Sequence, residues 1–465
     1  MYIDDFAGYC QYREEEYIFN FKEYIIELIP SSYSKLMLNS ILEPITKKNE
    51  KGFISDFILN GTLFDGRKVF FCVQDILECK NGIYRYKAKW VYIFCNRIDQ
   101  LQVKGINYVS NEINFIYNTK KYIDDDYQLS DGNFKNYTFN IKNLNRKKLG
   151  EFVNEKRIIN IYGDMTWKRN YNSANTLEMW SKLSLELNGN LDEISFLYKI
   201  SILQKCVIDF LTYRTNNSFT SIETYYYNDK HQRYPSGNLY IDFTNDIEND
   251  VKIISHLVNV DNIDNIGILY KLIDDGKIQQ FHFPKKSSDK LIYDTPRMLG
   301  IMISFEKLFN WKLNKNEIRS DKHLEMLDRI KNVLESNKDS IMEGLSGQKR
   351  KFDRMVALVS KAEVNYASMV RHVVKKYPIC VSCIKNIYGK ENLDNELTKL
   401  SERLNTLRNG IAHGKIKIDF TLDNTKDLKF LELVVYIVIL YDLGLDDEII
   451  IKKIAWLFNI NPFIY

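Results

Sequence analysis

At 465 residues the chain is too long for one hydrophobic core and long enough for two or three domains. Its 45% hydrophobic and 27% charged residues are ordinary for a globular protein and exclude a fibrous or disordered chain. A net charge of +4 excludes a global basic field, so any nucleic-acid contact has to come from a local patch.

The composition is rich in Ile, Asn, Lys and Tyr and poor in Pro (7) and Gly (20), which reads as an AT-rich coding sequence and weakens any argument from a bare Lys/Asn cluster. Met1-Tyr2-Ile3-Asp4-Asp5 carries acids where a signal peptide needs bases, and a cytoplasmic protein is expected. The longest uncharged apolar run, Leu433 to Tyr441, falls far short of a membrane span. Cys10, Cys72, Cys79, Cys95, Cys206, Cys380 and Cys383 are odd in number and scattered, unlike a secreted disulfide framework. Cys380-Val381-Ser382-Cys383 is a lone CxxC, and zinc needs about four ligands, so two thiols in a buried helical segment are expected. No metal or other cofactor is expected.

In chain order, Phe57 to Leu63 and Lys68 to Val73 read as strands joined through Phe64-Asp65-Gly66-Arg67, a strong hairpin signal. Asn81-Gly82 predicts a second turn. After it Tyr84, Tyr86, Ala88, Trp90 and Tyr92 alternate with Arg85, Lys87 and Lys89, which predicts a strand with one aromatic face. Such a face either packs in a core with its lysines in water, the expected reading, or stacks on nucleic-acid bases. Residues 118–150 are polar and are expected to be irregular; Asp124-Asp125-Asp126 reads as a solvated loop rather than a cation site. Strands resume near Arg157 to Tyr162 and Leu183 to Leu187. Asp192 opens an amphipathic helix up to Tyr213, and strands follow near Ser221 to Tyr227 and Leu239 to Phe243.

Pro284-Lys285-Lys286-Ser287-Ser288-Asp289-Lys290, closed by Pro296, is the best domain break. Beyond it helices are predicted over Met298 to Trp311, His323 to Leu345, Phe352 to Tyr377, Asn392 to Ala412, Lys426 to Tyr441 and Asp446 to Phe458, an antiparallel bundle. The fold class expected is therefore α+β and multidomain. A β-rich region spans 1–283, either one domain or two with a break near 150–190. A linker spans 284–296, and an all-helical domain spans 297–465.

Near the end of the fourth of these helices stands Leu407-Arg408-Asn409-Gly410-Ile411-Ala412-His413-Gly414. Histidine titrates near neutrality and moves protons. Arginine offers a fork of donors to a phosphate gaining charge. Asparagine orients either group or the substrate. Together Arg408, Asn409 and His413 fit RNA cleavage without metal, in which the ribose 2′-OH attacks the adjacent phosphate. The alternative for His413 is a helix-end cap. Five steps of a regular helix leave Arg408 and His413 roughly 140° apart, so they converge only if the helix loosens near Gly410 or a second copy supplies half the site.

An all-helical C-terminal domain carrying Arg408-Asn409 and Ala412-His413-Gly414 resembles the HEPN superfamily, whose ribonucleases hold an arginine, usually a polar residue after it, and a histidine a short spacer on. Ile301-Met302-Ile303-Ser304-Phe305-Glu306-Lys307-Leu308 resembles the acid-bearing first helix of the ApeA-like HEPN group. Asn60-Gly61-Thr62-Leu63-Phe64-Asp65-Gly66, with the domain order, is similar to the N-terminal domain of ApeA-type anti-phage proteins. The resemblance implies a HEPN fold over the last third and an endoribonuclease of abortive infection, acting on tRNA or another structured RNA, host or phage. It implies Arg408, His413 and Asn409 as its catalytic residues and Glu306 as a residue that holds Arg408. It also implies a β-rich region that senses a phage trigger, and a homodimer or dimer-based assembly with the motif helices facing. Lys415 and Lys417 alternate with Ile416 and Ile418, and either touch flanking phosphates or edge a half-exposed strand. Ser346-Gly347-Gln348-Lys349-Arg350-Lys351 is a basic turn for which RNA binding is the alternative to simple solvation. The competing class is a non-catalytic HEPN module that binds RNA or protein.

Overall fold

The computed structural model describes residues 3–31, 56–80, 83–97, 101–118, 123–130, 133–141, 146–169, 177–191, 193–243, 258–313, 318, 321–345, 347–359, 365–389, 393–412 and 421–460. Two compact units emerge, Met1–Asp274 and Asp275–Tyr465. The first is β-rich, and the helices of the second carry no strand among its described residues. No helix among the described residues is long and apolar enough to cross a membrane. The predicted turn Asn81-Gly82, Asp192, Ser346, His413, Gly414, Lys415 and Lys417 lie outside the described residues.

The first unit opens with β1 (Phe6–Tyr12), β2 (Glu15–Lys22), β3 (Ile25–Pro30), β4 (Phe57–Leu63), β5 (Lys68–Lys80) and β6 (Ile83–Phe94). Pairings β1–β2, β2–β3, β3–β6, β6–β5, β5–β4 and β4–β1 close these six into an antiparallel barrel. Closure removes the sheet edges, and alternate residues such as Phe19, Phe21, Val69 and Phe71 fill the interior. The β4–β5 hairpin turns at Gly66, whose φ of +88° suits glycine, and pairs Thr62 with Lys68. Arg13-Glu14 and Glu23-Tyr24 turn the earlier hairpins with positive φ at both central residues, the backbone of a primed turn built without glycine.

The aromatic alternation along β6 is divided. Tyr84, Tyr86 and Ala88 belong to the barrel core, with Val91 and Ile93 after them. Opposite β5 the pairing passes from Ala88 to Trp90, leaving Lys89 as a bulge residue that shifts the period by one. Trp90 and Tyr92 therefore face the other side, where Trp90 stacks on Tyr198. The single aromatic face predicted for this strand is thus two half-faces. Both are buried, and Arg85, Lys87 and Lys89 pair with Glu27, Asp242 and Asp56, so no base-stacking platform is presented.

Beyond β6 the sheet continues through β7 (Val103–Val109), β10 (Lys147–Asn154), β11 (Arg157–Arg169), β12 (Leu177–Leu191), β13 (Ser221–Tyr227) and β14 (Arg233–Ile241), in the order β6-β14-β13-β7-β12-β11-β10. Helices α1 (Asn111–Ile116), α2 (Ile194–Thr212) and α3 (Gly267–Asp274) complete the unit. The region expected to be irregular instead contains β8 (Ile123–Ser130) and β9 (Asn133–Ile141), an antiparallel pair in which Asp124, Asp125 and Asp126 face Asn140, Phe139 and Thr138. The reason is local: Tyr127, Phe134, Tyr137 and Phe139 favour strands, and the chain between the two strands is Asp131-Gly132.

The helical unit comprises α4 (Thr295–Lys312), α5 (Asp321–Ser336), α6 (Lys338–Met342), α7 (Lys349–Val359), α8 (Tyr366–Lys376), α9 (Pro378–Tyr388), α10 (Leu393–Ala412), α11 (Leu422–Asp442) and α12 (Asp447–Phe458). Helix α11 is buried almost without break from Leu428 to Leu440, mostly by apolar side chains, and forms the centre. Two expected helices are each divided. The stretch 323–345 breaks at Asn337. The stretch 352–377 restarts at Asn365, whose side chain accepts from the Ser368 backbone N–H at 2.8 Å. Pro378 both ends α8 and occupies the first turn of α9.

Residues 284–296, expected as a linker, are folded into this unit. Asp294 caps α4, and Arg297 donates to the Asp289 and Ile292 carbonyls. His282 is 2% exposed and shares a hydrogen bond with Ser304 at 3.0 Å. Burial, reinforced by the Arg297 charge, pushes its imidazole down to about 3. The folded value lies below the unfolded one near 6.5. The stabilisation is therefore complete above about pH 6.5 and is lost as pH falls toward 3, at up to about 1.4 kcal/mol per pH unit. Between pH 7 and 5 the wild type should lose stability relative to His282→Asn, measured as the difference in the slopes of melting temperature against pH. Equal slopes would remove His282 as the cause. Burial pushes the Asp209 carboxyl up to about 7, which has the opposite sign, and that contribution cancels in the comparison.

Candidate active site

The apolar stripe of α10 runs through Leu397, Leu400, Ser401 and Leu404, all buried. Three to five residues on, Leu407 and Arg408 are half-buried and Asn409 is exposed, so the burial of this stripe fades toward the end of the helix. Arg403 fixes α10 to the centre of the bundle: its guanidinium grips Asp427 of α11 with two bonds of 2.7 Å, and Tyr388 of α9 donates to the same carboxylate. The helix end that carries Arg408 is thereby held in a defined place.

Arg408 Nε donates to Glu306 Oε1 at 2.9 Å, joining α10 to α4. Both side chains are partly exposed, 42% and 34%, so the pair contributes at most about 1 kcal/mol to stability. It orients the guanidinium rather than holding the fold. Beside the pair lies a cleft of about 260 Å³ lined by Glu306, Asn310, Asn365, Tyr366, Met369, Asn405, Arg408 and Asn409. Glu306 and Asn310 are one turn apart on α4, Asn365 and Tyr366 start α8, and Asn405, Arg408 and Asn409 share one face of α10. Tyr366 packs its ring against Phe305 and is 4% exposed, yet its hydroxyl has no hydrogen-bond partner among the described residues. Burial, and secondarily the Glu306 charge, keep that phenol protonated well beyond its usual range, so it remains a donor.

Comparison with protein-family models, with curated proteins and with solved structures finds no match to this chain.

The expected site residues are distributed as follows. Arg408, Asn409 and Glu306 line one cleft. His413 follows directly on the last residue of α10 in the sequence, outside the described residues together with Lys415 and Lys417. Lys349, Arg350 and Lys351 form the exposed first turn of α7, and none of them lines the cleft. Cys380 and Cys383 are both buried in α9, and among the described residues no further His, Cys, Asp or Glu completes a metal-binding group with them. Sequence reasoning missed Asn405, Asn310, Asn365 and Tyr366. A signal existed for Asn405 alone: it stands one turn before Arg408 and Asn409, where the apolar stripe gives way.

Proposed function

We propose that the chain is a HEPN-type endoribonuclease that works without metal, with the β-rich region as its sensor or restraint in anti-phage defence. The observation that carries this reading is Arg408, held by Glu306 at the rim of a polar cleft, on the same helix that leads directly into His413. An oriented guanidinium facing open space suits a phosphate gaining charge in the transition state. A base removes the proton of the ribose 2′-OH, and that oxygen attacks the adjacent phosphorus. The bond to the 5′-oxygen breaks, and an acid protonates the leaving oxygen. His413 supplies one of these proton transfers, Arg408 stabilises the phosphate, Asn409 positions the strand, and the products are a 2′,3′-cyclic phosphate and a 5′-OH. The active species is a homodimer or an assembly of dimers, cutting tRNA or another structured RNA.

The test is sequencing of RNA ends after induction in bacteria, comparing wild type with His413→Ala. New 5′-OH ends at defined sites are expected in the wild type and about 10²–10⁴-fold fewer in the variant. Intact RNA in both would favour a non-catalytic binding module. Ends that persist in the variant would move the chemistry to another residue.

A further inference from the structure

We propose that the hairpin of α5 and α7 is a peripheral membrane face that lies on an anionic lipid surface. The inference is independent of the ribonuclease reading, and none of its residues lines the cleft at Arg408. Helices α5 and α7 pack mainly on each other. Lys338, just past the end of α5, pairs with Asp353 near the start of α7 at 2.8 Å, so the two run antiparallel. Among their described residues they bury only Leu327, Phe352 and Val356. Met326, Ile330, Val333, Met355 and Leu358 stay 41–61% exposed. Single exposed apolar residues are ordinary, but these five share one face. Measured from Leu327, the direction of contact, Met326, Ile330 and Val333 lie roughly 60–120° to one side of α5. Measured from Phe352, Lys351, Met355 and Leu358 lie the same roughly 60–120° round α7. Antiparallel neighbours are related by a two-fold axis normal to their common plane, which brings one sense of rotation to the same face on both helices.

The charges divide between the two faces in the same way. Lys322, Arg329 and Arg354 rim the apolar set at roughly 140–160°, and Lys351 stands within it. Arg329 shares Glu325 beside it, whereas Lys322, Lys351 and Arg354 pair with no carboxylate among the described residues. The acids Asp328, Glu335 and Asp353 lie roughly 80–100° to the other side, on the far face. Apolar side chains rimmed by bases, with the acids turned away, are the pattern of a helix that lies in the interface of an anionic bilayer. A second copy of the chain is a poor occupant, because stacking the face on itself sets base against base. The face also lacks the aromatic anchor that dominates protein interfaces. Its methionine, lysine and arginine side chains are flexible and suit a surface without fixed shape.

The test is co-sedimentation of the full chain with vesicles of phosphatidylcholine alone or of phosphatidylcholine mixed equally with phosphatidylglycerol. Binding to the mixed vesicles and not to phosphatidylcholine alone is expected, and it should weaken as salt is added. Lys351→Gln and Arg354→Gln should each lower the partition coefficient about fivefold, the worth of one base near a charged surface. Val333→Ser combined with Leu358→Ser should lower it about tenfold, because two aliphatic side chains no longer enter the interface. Lys349→Gln, on the opposite side of α7 from Lys351, should leave it within about twofold. All five positions are exposed, so the melting temperatures should stay close to wild type. No binding to the mixed vesicles, or equal binding to both kinds, would overturn the proposal. A loss in Lys349→Gln equal to that in Lys351→Gln would overturn it too, since the attraction would then belong to general charge and not to this face. Full binding by the Val333 and Leu358 variant would do the same for the apolar contact. Capture of an acidic amphipathic peptide without any vesicle binding would give the face to a protein partner and overturn the membrane assignment. RNA cleavage is not read in this assay, so its failure leaves the nuclease reading standing.

Discussion

Arg408→Ala is expected to lower RNA cleavage by about 10²–10³-fold, the usual cost of removing one charge-stabilising donor. Its melting temperature should stay close to wild type. The pair with Glu306 is too exposed for its loss to cost more than about 1 kcal/mol, and the neighbouring clamp of Arg403 on Asp427 still holds α10. Arg408→Lys should restore little of the activity, since a lysine keeps the charge but not the planar fork that Glu306 orients. Glu306→Gln separates holding from charge: the amide oxygen still accepts from Arg408 Nε, so a loss much smaller than that of Arg408→Ala is expected. The measurement is the single-turnover cleavage rate of purified protein, with circular dichroism as the folding control. An Arg408→Ala rate within threefold of wild type would remove Arg408 from the chemistry.

The largest stability effect is expected at Glu432. This carboxylate sits on the central helix at 1% exposure and meets Arg297 Nη2 through both oxygens at 3.1 Å. Tyr293 also donates to it at 2.9 Å, and the Arg297 guanidinium lies over the Tyr293 ring. Glu432→Ala deprives a buried guanidinium of its carboxylate, which costs about 3–5 kcal/mol. For a unit of this size that corresponds to a fall in melting temperature of roughly 6–20 °C. The double variant Arg297→Met with Glu432→Leu should recover most of the loss, because the cost lies in the orphaned charge rather than in the missing attraction. A single variant that melts within 2 °C of wild type would contradict this account. The pair also tethers the segment before α4 to the bundle, so the loss is expected to appear in the helical unit.

Local rules reached far along this chain and stopped at identifiable places. The Asp65-Gly66 hairpin was legible because its turn demands a positive φ that glycine supplies. The turns at Arg13-Glu14 and Glu23-Tyr24 were not, since their positive φ values are imposed on ordinary residues by strand pairing on either side. The β6 alternation was legible as a strand, but the bulge at Lys89 that sends Trp90 and Tyr92 to the opposite face comes from the register against β5. Within the candidate site, Arg408 and Asn409 stood out by residue type and by their place at the end of a helix. Tyr366 and Asn310 carried no such mark, because a tyrosine or asparagine in a helical stretch is ordinary until its neighbours are known.

The sequence by itself determined the change from period two to period 3.6, and with it a β-rich part followed by a helical part, because side-chain direction follows backbone geometry over a few residues. It also set an arginine, an asparagine and a histidine within six residues of one another. Only the tertiary structure decided that β1 meets β4 and β5 meets β6 to close the barrel, that residues 284–296 fold onto the helices, and that Glu306 and Tyr366 stand beside Arg408. Those are pairings between residues far apart in the chain. Their energy comes from burial and from satisfying polar groups in a shared interior, a property of the packed whole that no local window contains.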